Sequence, residues 1–221
     1  MMKLPSGMKA FSAALAALMW VSAATTNAQA TDPGYAAYTA GNVTQAKANW
    51  APRCAANDSL ACTYLAFLYQ KGDGVPIDLA KARTLFEKGC VGNFLACSVL
   101  GEMHQYGEGG PVDEFKARAL YSKSCTGSAD EISCYNVAAM MRTGTGGPKQ
   151  PAEALITFAL QCDNGHLSSC NTGGQMLEKG ETGKPDYEMA EKMYRMSCDK
   201  GNQTGCTLTG ELYRNGLAVV K

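Results

Sequence analysis

Residues 190–216 read AEKMYRMSCDKGNQTGCTLTGELYRNG. In order they hold an Ala, an aromatic, a Cys, a short polar turn, a second Cys, a small residue and a Gly, and four other stretches of the 221-residue chain repeat that order. Eight residues before the first cysteine of each pair stands Ala (Ala46, Ala82, Ala117, Ala154, Ala190), and four before it an aromatic (Trp50, Phe86, Tyr121, Phe158, Tyr194). Four residues after the second cysteine stands Ala or Gly (Ala66, Gly101, Ala138, Gly174, Gly210), and ten after it always Gly (Gly72, Gly107, Gly144, Gly180, Gly216). The second cysteines lie 35, 37, 36 and 36 residues apart, so the chain is a tandem array and domain counting by length does not apply.

The recurring positions follow helical periodicity. The Ala, the aromatic and the first Cys are four apart and stack on one helix face. The second Cys, the small residue and the apolar-leaning residue seven beyond that Cys (Tyr69, His104, Met141, Leu177, Tyr213) do the same on another. The spacing predicts A helices over about 59–71, 94–106, 131–143, 167–179 and 203–215, and B helices over about 79–90, 114–125, 151–162 and 187–198. The Gly ten after the cysteine closes each A helix in a left-handed cap, and a Pro four or five residues later starts the next B helix. Val43 to Cys54 reads as one more helix, whose last turn Pro52 should distort because it lacks a backbone donor. Residues 31–42 read as the remnant of a first helix. The expected fold is all-α: a right-handed α/α solenoid with a partial unit at 31–57, repeats at about 58–92, 93–128, 129–165 and 166–201, and a capping helix at 202–221.

The ten cysteines follow from that geometry. One cysteine in the last turn of B and one in the first turns of the next A lie close enough in an antiparallel hairpin for the Cα separation a disulfide needs. Five local bridges are predicted: Cys54–Cys62, Cys90–Cys97, Cys125–Cys134, Cys162–Cys170 and Cys198–Cys206. Each closes a short loop and stabilises by about 2.5 kcal/mol. Zinc is the competing reading, but it favours closer cysteine spacing with added ligands, and the five pairs bring none, so no metal or other cofactor is expected.

The first 30 residues carry Lys3 and Lys9, no acidic residue, an apolar run from Phe11 to Ala24, and Ala28-Gln29-Ala30. That is the pattern of a cleavable secretory leader, with the mature chain starting at Thr31 in a periplasm or outside the cell, and the run is too short for a membrane span. Taking Lys3 and Lys9 from the 20 basic residues leaves 18 against 20 acidic ones. A net charge near −2 with no block of either sign argues against nucleic acid and anionic lipid, and a soluble monomer is expected.

The Tyr-x-x-Gly helix ends (Tyr69 to Gly72, Tyr213 to Gly216), the Gly-x-Gly-Val loop at Gly72 to Val75 and the Ala-Lys-Ala-x-x-x-Phe run from Ala80 to Phe86 resemble the Sel1-like repeat. The 36-residue unit is longer than the 34 of tetratricopeptide repeats, and the added cysteine pair looks like the cysteine-rich Helicobacter branch. The resemblance implies a protein- or peptide-binding scaffold and, from that branch, an alternative β-lactamase or penicillin-binding activity. A serine enzyme of that kind needs Ser at S-x-x-K with S-D-N and K-T-G partners. The matches are Ser6–Lys9, inside the leader, and Ser197–Lys200, with neither partner motif anywhere. The two histidines, His104 and His166, fall in different repeats; the first reads as core or rim, the second as a solvated turn residue. No catalytic constellation is found.

What varies within the repeating frame is the other face of the A helices, one, five and eight residues after the second cysteine. A helices in such solenoids line the concave side. The face reads Thr63/Phe67/Gln70, Ser98/Glu102/Gln105, Tyr135/Ala139/Arg142, Asn171/Gln175/Glu178 and Thr207/Glu211/Arg214. The candidate contact set for a protein or peptide partner is Phe67, Gln70, Glu102, Gln105, Tyr135, Arg142, Gln175, Glu178, Glu211 and Arg214, with Phe67, Tyr135, Arg142 and Arg214 as anchors by residue type. An ordinary solvated face would vary in the same way.

Overall fold

The computed structural model describes residues 32–128 and 130–217; the stretch read as a leader, and Ser6 with it, lies outside them. Eleven helices follow one another among the described residues. At the N-terminus come α1 (Pro33–Thr39) and α2 (Val43–Ala55). The A helices are α3 (Ser59–Lys71), α5 (Phe94–Tyr106), α7 (Glu131–Thr143), α9 (Leu167–Glu178) and α11 (Gln203–Arg214). The B helices between them are α4 (Leu79–Gly89), α6 (Glu114–Ser128), α8 (Pro151–Asp163) and α10 (Tyr187–Asp199). The chain is an α/α solenoid in which each helix packs mainly on its neighbours in sequence. Pro52 does not end α2, which runs on to Ala55, with the Ala56 amide bonding the Pro52 carbonyl.

Every described helix except α8, which opens on Pro151, starts where a polar side chain accepts from the first exposed amides. Asp58, Asn93, Asp130, His166 and Asn202, four residues before each second cysteine, cap the A helices. Asp78, Asp113 and Asp186 cap three B helices. His166 is therefore a half-buried cap rather than a solvated turn residue: its Nδ1 accepts from the Ser169 amide at 3.3 Å and its ring lies 5.5 Å from that of Tyr135. Gly72, Gly107 and Gly144 close α3, α5 and α7 in the left-handed conformation. The five disulfides pair as the hairpin geometry predicts, with Cα separations of 4.5–4.6 Å.

The core is one extended cluster from Ala46 to Met103 followed by four small ones along the array. At each junction the aromatic of a B helix fills the space left by the small residue of the A helix before it. A Cβ on Gly101 would stand 3.0 Å from the Tyr121 ring, and one on Gly174 2.4 Å from that of Tyr194. Phe86, Phe158 and Tyr194 are fully buried, with Tyr121 1% exposed.

Two further devices join one repeat to the next. The loops after α5 and α7 lie across the start of the preceding B helix: a Cβ on Gly109 would meet the Leu79 carbonyl oxygen at 2.2 Å, and one on Gly146 the Glu114 carbonyl oxygen at 2.1 Å. From those B helices the buried Arg83 and Arg118 reach into the same loops. Arg83 donates to the Glu108 carbonyl (3.3 Å), the Pro111 carbonyl (3.1 Å) and Nδ1 of the buried His104 (2.5 Å). Arg118 donates to the Pro148 carbonyl (2.9 Å) and to Gln150 Oε1. Their guanidinium groups occupy the space that side chains at Gly110 and Gly147 would need.

The N-terminal end is closed differently. Trp50 donates from its indole to Asp32 at 2.9 Å, Arg53 pairs with both Asp32 (2.5 Å) and Asp58 (2.7 Å), and the Tyr35 amide caps onto Asp32 at 2.7 Å. Burial opposes the Asp32 charge, but these donors outweigh it and hold the carboxyl below the ordinary 3.8. A lowered folded pKa gives stability that is present above the unfolded value and is lost as pH falls through the folded one. Asp32→Asn should therefore cost about 2 kcal/mol near neutrality, measured by denaturant unfolding. The gap to the unaltered protein should close as pH falls below 3.8 and through the lowered folded value.

Candidate functional site

Apart from α11, which buries Gly205 and Leu212, the A helices are the more buried layer: α5 buries eight of its residues and α3 seven, against four in α6 and four in α8. Their side chains away from the B helices are the candidate site.

The structure divides the three positions of that face. The first belongs to the packing in three repeats: Thr63 (0% exposed), Ser98 (9%) and Asn171 (8%) are buried. Ser98 donates to Asp130 at 3.1 Å and Asn171 to Asn202 at 3.2 Å, each reaching the cap of the next A helix. Adjacent A helices meet there, so these three residues are closed to a partner, while Tyr135 at the same position is half-buried and Thr207 exposed.

The positions five and eight residues after the cysteine stay half-buried, with Arg214 exposed. Several are engaged within the array. Tyr121 donates its hydroxyl to Gln105 at 2.8 Å and Tyr194 to Glu178 at 2.7 Å, so the B aromatic and the A residue eight after the cysteine act as a pair. Where the aromatic is Phe158 there is no hydroxyl to receive, and Arg142 instead pairs with Glu181 through two bonds of 2.7 and 2.5 Å. The Glu181 carboxylate strengthens the hold of Arg142 on its charge, and the Arg142 guanidinium in turn lowers the Glu181 carboxyl below its ordinary range. Tyr135 leans on Phe158 with ring centroids 5.5 Å apart, its hydroxyl 3.3 Å from that of Thr172. Glu211 and Arg214 face each other at 3.6 Å on α11.

The rest keep bonding capacity in hand. Phe67 meets Phe86 edge-on at 4.9 Å and keeps Lys71 Nζ 5.5 Å from its ring centre, leaving the ring half-exposed. Gln70, Glu102 and Gln175 make no side-chain hydrogen bond among the described residues. Burial and the nearby Glu108 raise the Glu102 carboxyl above its ordinary range, with no cation beside it. Of the four anchors expected from residue type, Phe67 keeps an open ring, Arg142 and Tyr135 are held by neighbouring repeats, and Arg214 stands at the exposed end.

Ser197 is fully buried and donates to the Leu167 carbonyl at 3.4 Å. Ser124 does the same to Phe94, and Gln161 to Glu131, each 30 residues back. The residue before each of these cysteines is a joint between repeats, and a serine so enclosed is out of reach of a substrate. Among the described residues no helix is long and apolar enough to cross a membrane.

The Sel1 repeat family matches the chain at residues 59–90, 95–128, 132–156 and 167–202. A protective antigen present in uropathogenic Escherichia coli strains, of SLR fold, is similar at 26% identity and a TM-score of 0.77. That alignment covers 91% of this chain and 43% of the antigen, so the chain spans less than half of its length. A Sel1 repeat protein from Oxalobacter formigenes has the same fold, with a TM-score of 0.77 at 22% identity over 85% of this chain and 78% of that one. No curated protein matches.

Proposed function

The chain belongs to the Sel1 repeat family, and from that premise we propose that it is an exported scaffold that binds a protein or peptide segment along its A helices. The observation that carries the reading is the contrast within one face. Positions that repeat are buried and bonded, while Phe67, Gln70, Glu102 and Gln175 differ from repeat to repeat and retain an open ring, free amides and a carboxylate without a cation. A segment laid along α3, α5 and α9 would bring apolar contact to Phe67 and donors to Glu102. Export through the leader at residues 1–30 agrees with the five disulfides, which persist in an oxidising compartment.

Immobilised protein should capture a partner from the envelope or secreted fraction. Replacing Phe67, Glu102 and Gln175 together by Ala should weaken that capture at least about tenfold, as removal of interface anchors does, with helix content retained by circular dichroism. Full capture by the triple variant would remove this face from the account.

A further inference from the structure

The five staples are not equally protected. Cys54, Cys62, Cys90, Cys97, Cys162 and Cys170 are at most 5% exposed, and Cys134, paired with a half-buried Cys125, is 7% exposed. Cys198 is half-buried and Cys206 exposed, so Cys198–Cys206 is the bridge with neither cysteine buried. The cover differs: a Cβ on Gly210 in α11 would meet nothing within 4 Å, whereas Gly174 in the preceding A helix lies under Tyr194. Helix α11 is also the least anchored of the A row, with Gly205 and Leu212 as its buried residues, Tyr213 bonded to Glu191 and Asn202 to Asn171.

We propose that Cys198–Cys206 is a thiol–disulfide exchange site that takes a dithiol reductant, and that opening it releases α11 from α10. A thiolate of the reductant attacks the sulfur of Cys206. The Cys198–Cys206 bond breaks, a mixed disulfide forms at Cys206, and Cys198 leaves with the electron pair and takes a proton from water. The second thiol of the reductant, as thiolate, then attacks its partner sulfur. Cys206 leaves as thiolate and is protonated in turn, and the reductant departs as a disulfide, having supplied two electrons. Cys206 lies in the first turn of α11, where the helix field favours the departing thiolate. Access governs such exchange, and burial withholds it from the other four bridges.

The test is timed reduction of the native full chain with dithiothreitol, quenched with iodoacetamide and followed by peptide mapping. Cys198 and Cys206 should acquire label together, at least about tenfold faster than any other pair, and α11 should then lose amide-exchange protection while α10 keeps it. In concentrated guanidinium the lead should vanish, because all five loops span a similar 7–9 residues. Another pair leading, all five opening in one step, a lead that persists in guanidinium, or an α11 that stays protected after labelling would each overturn the proposal.

Discussion

Gly109→Ala and Gly146→Ala should each destabilise the array by roughly 3 kcal/mol or more, seen as a fall of roughly 10 °C in thermal midpoint or as a separate early transition. Two costs add at these positions. The backbone is left-handed, with φ of +69° and +65°, and the new Cβ would stand 2.2 and 2.1 Å from the carbonyl oxygens of Leu79 and Glu114. Neither oxygen belongs to a flexible side chain, so the loop has to lift off the preceding B helix. Gly216→Ala is the control: φ is +67° with nothing within 4 Å, and the cost should be about 1 kcal/mol, the left-handed term alone. Equal losses at Gly109 and Gly216 would show that the loop does not weld adjacent repeats.

Arg83→Leu should cost roughly 3 kcal/mol, because the Glu108 and Pro111 carbonyls and the buried His104 lose their shared donor together. His104 supplies a readout that packing alone would not move. Burial and then Arg83 and Lys116 hold its imidazole below the ordinary 6.5. With the folded value lowered, the unfolded chain takes protons first as pH falls through 6.5, and stability declines. Removing the guanidinium should raise the folded His104 pKa, followed by NMR titration, and make that acid decline shallower. An unchanged His104 titration would contradict the pairing.

Much of the fold was legible because packing repeats its demands. One small residue under one aromatic per repeat sets a register, and the observed helix ends fall within three residues of the predicted ones. The cysteine pairing followed because both partners lie on a single short turn. The N-caps were present in the same register, as Asp58, Asn93, Asp130 and Asn202, but were missed because His166 breaks the residue type while keeping the role. The arginine clamps had a signal too: Arg83 and Arg118 each precede a loop with paired glycines, Gly109-Gly110 and Gly146-Gly147, and the other repeats have neither. The candidate face was read only coarsely. Helical spacing puts Thr63, Ser98 and Asn171 beside the groove positions, but spacing within one helix does not reveal the adjacent A helix that buries them. Arg142 looked like an anchor because its partner Glu181 lies 39 residues away in a loop.

The central claim is that the A-helix face binds and the B-helix face does not. A photo-crosslinking residue at Gln175 on α9, compared with one at Leu160 on α8, which is 60% exposed, tests it most directly in the native compartment. The account predicts a covalent partner adduct from position 175 and none from position 160. Adducts from position 160 alone, or equally from both, would contradict it.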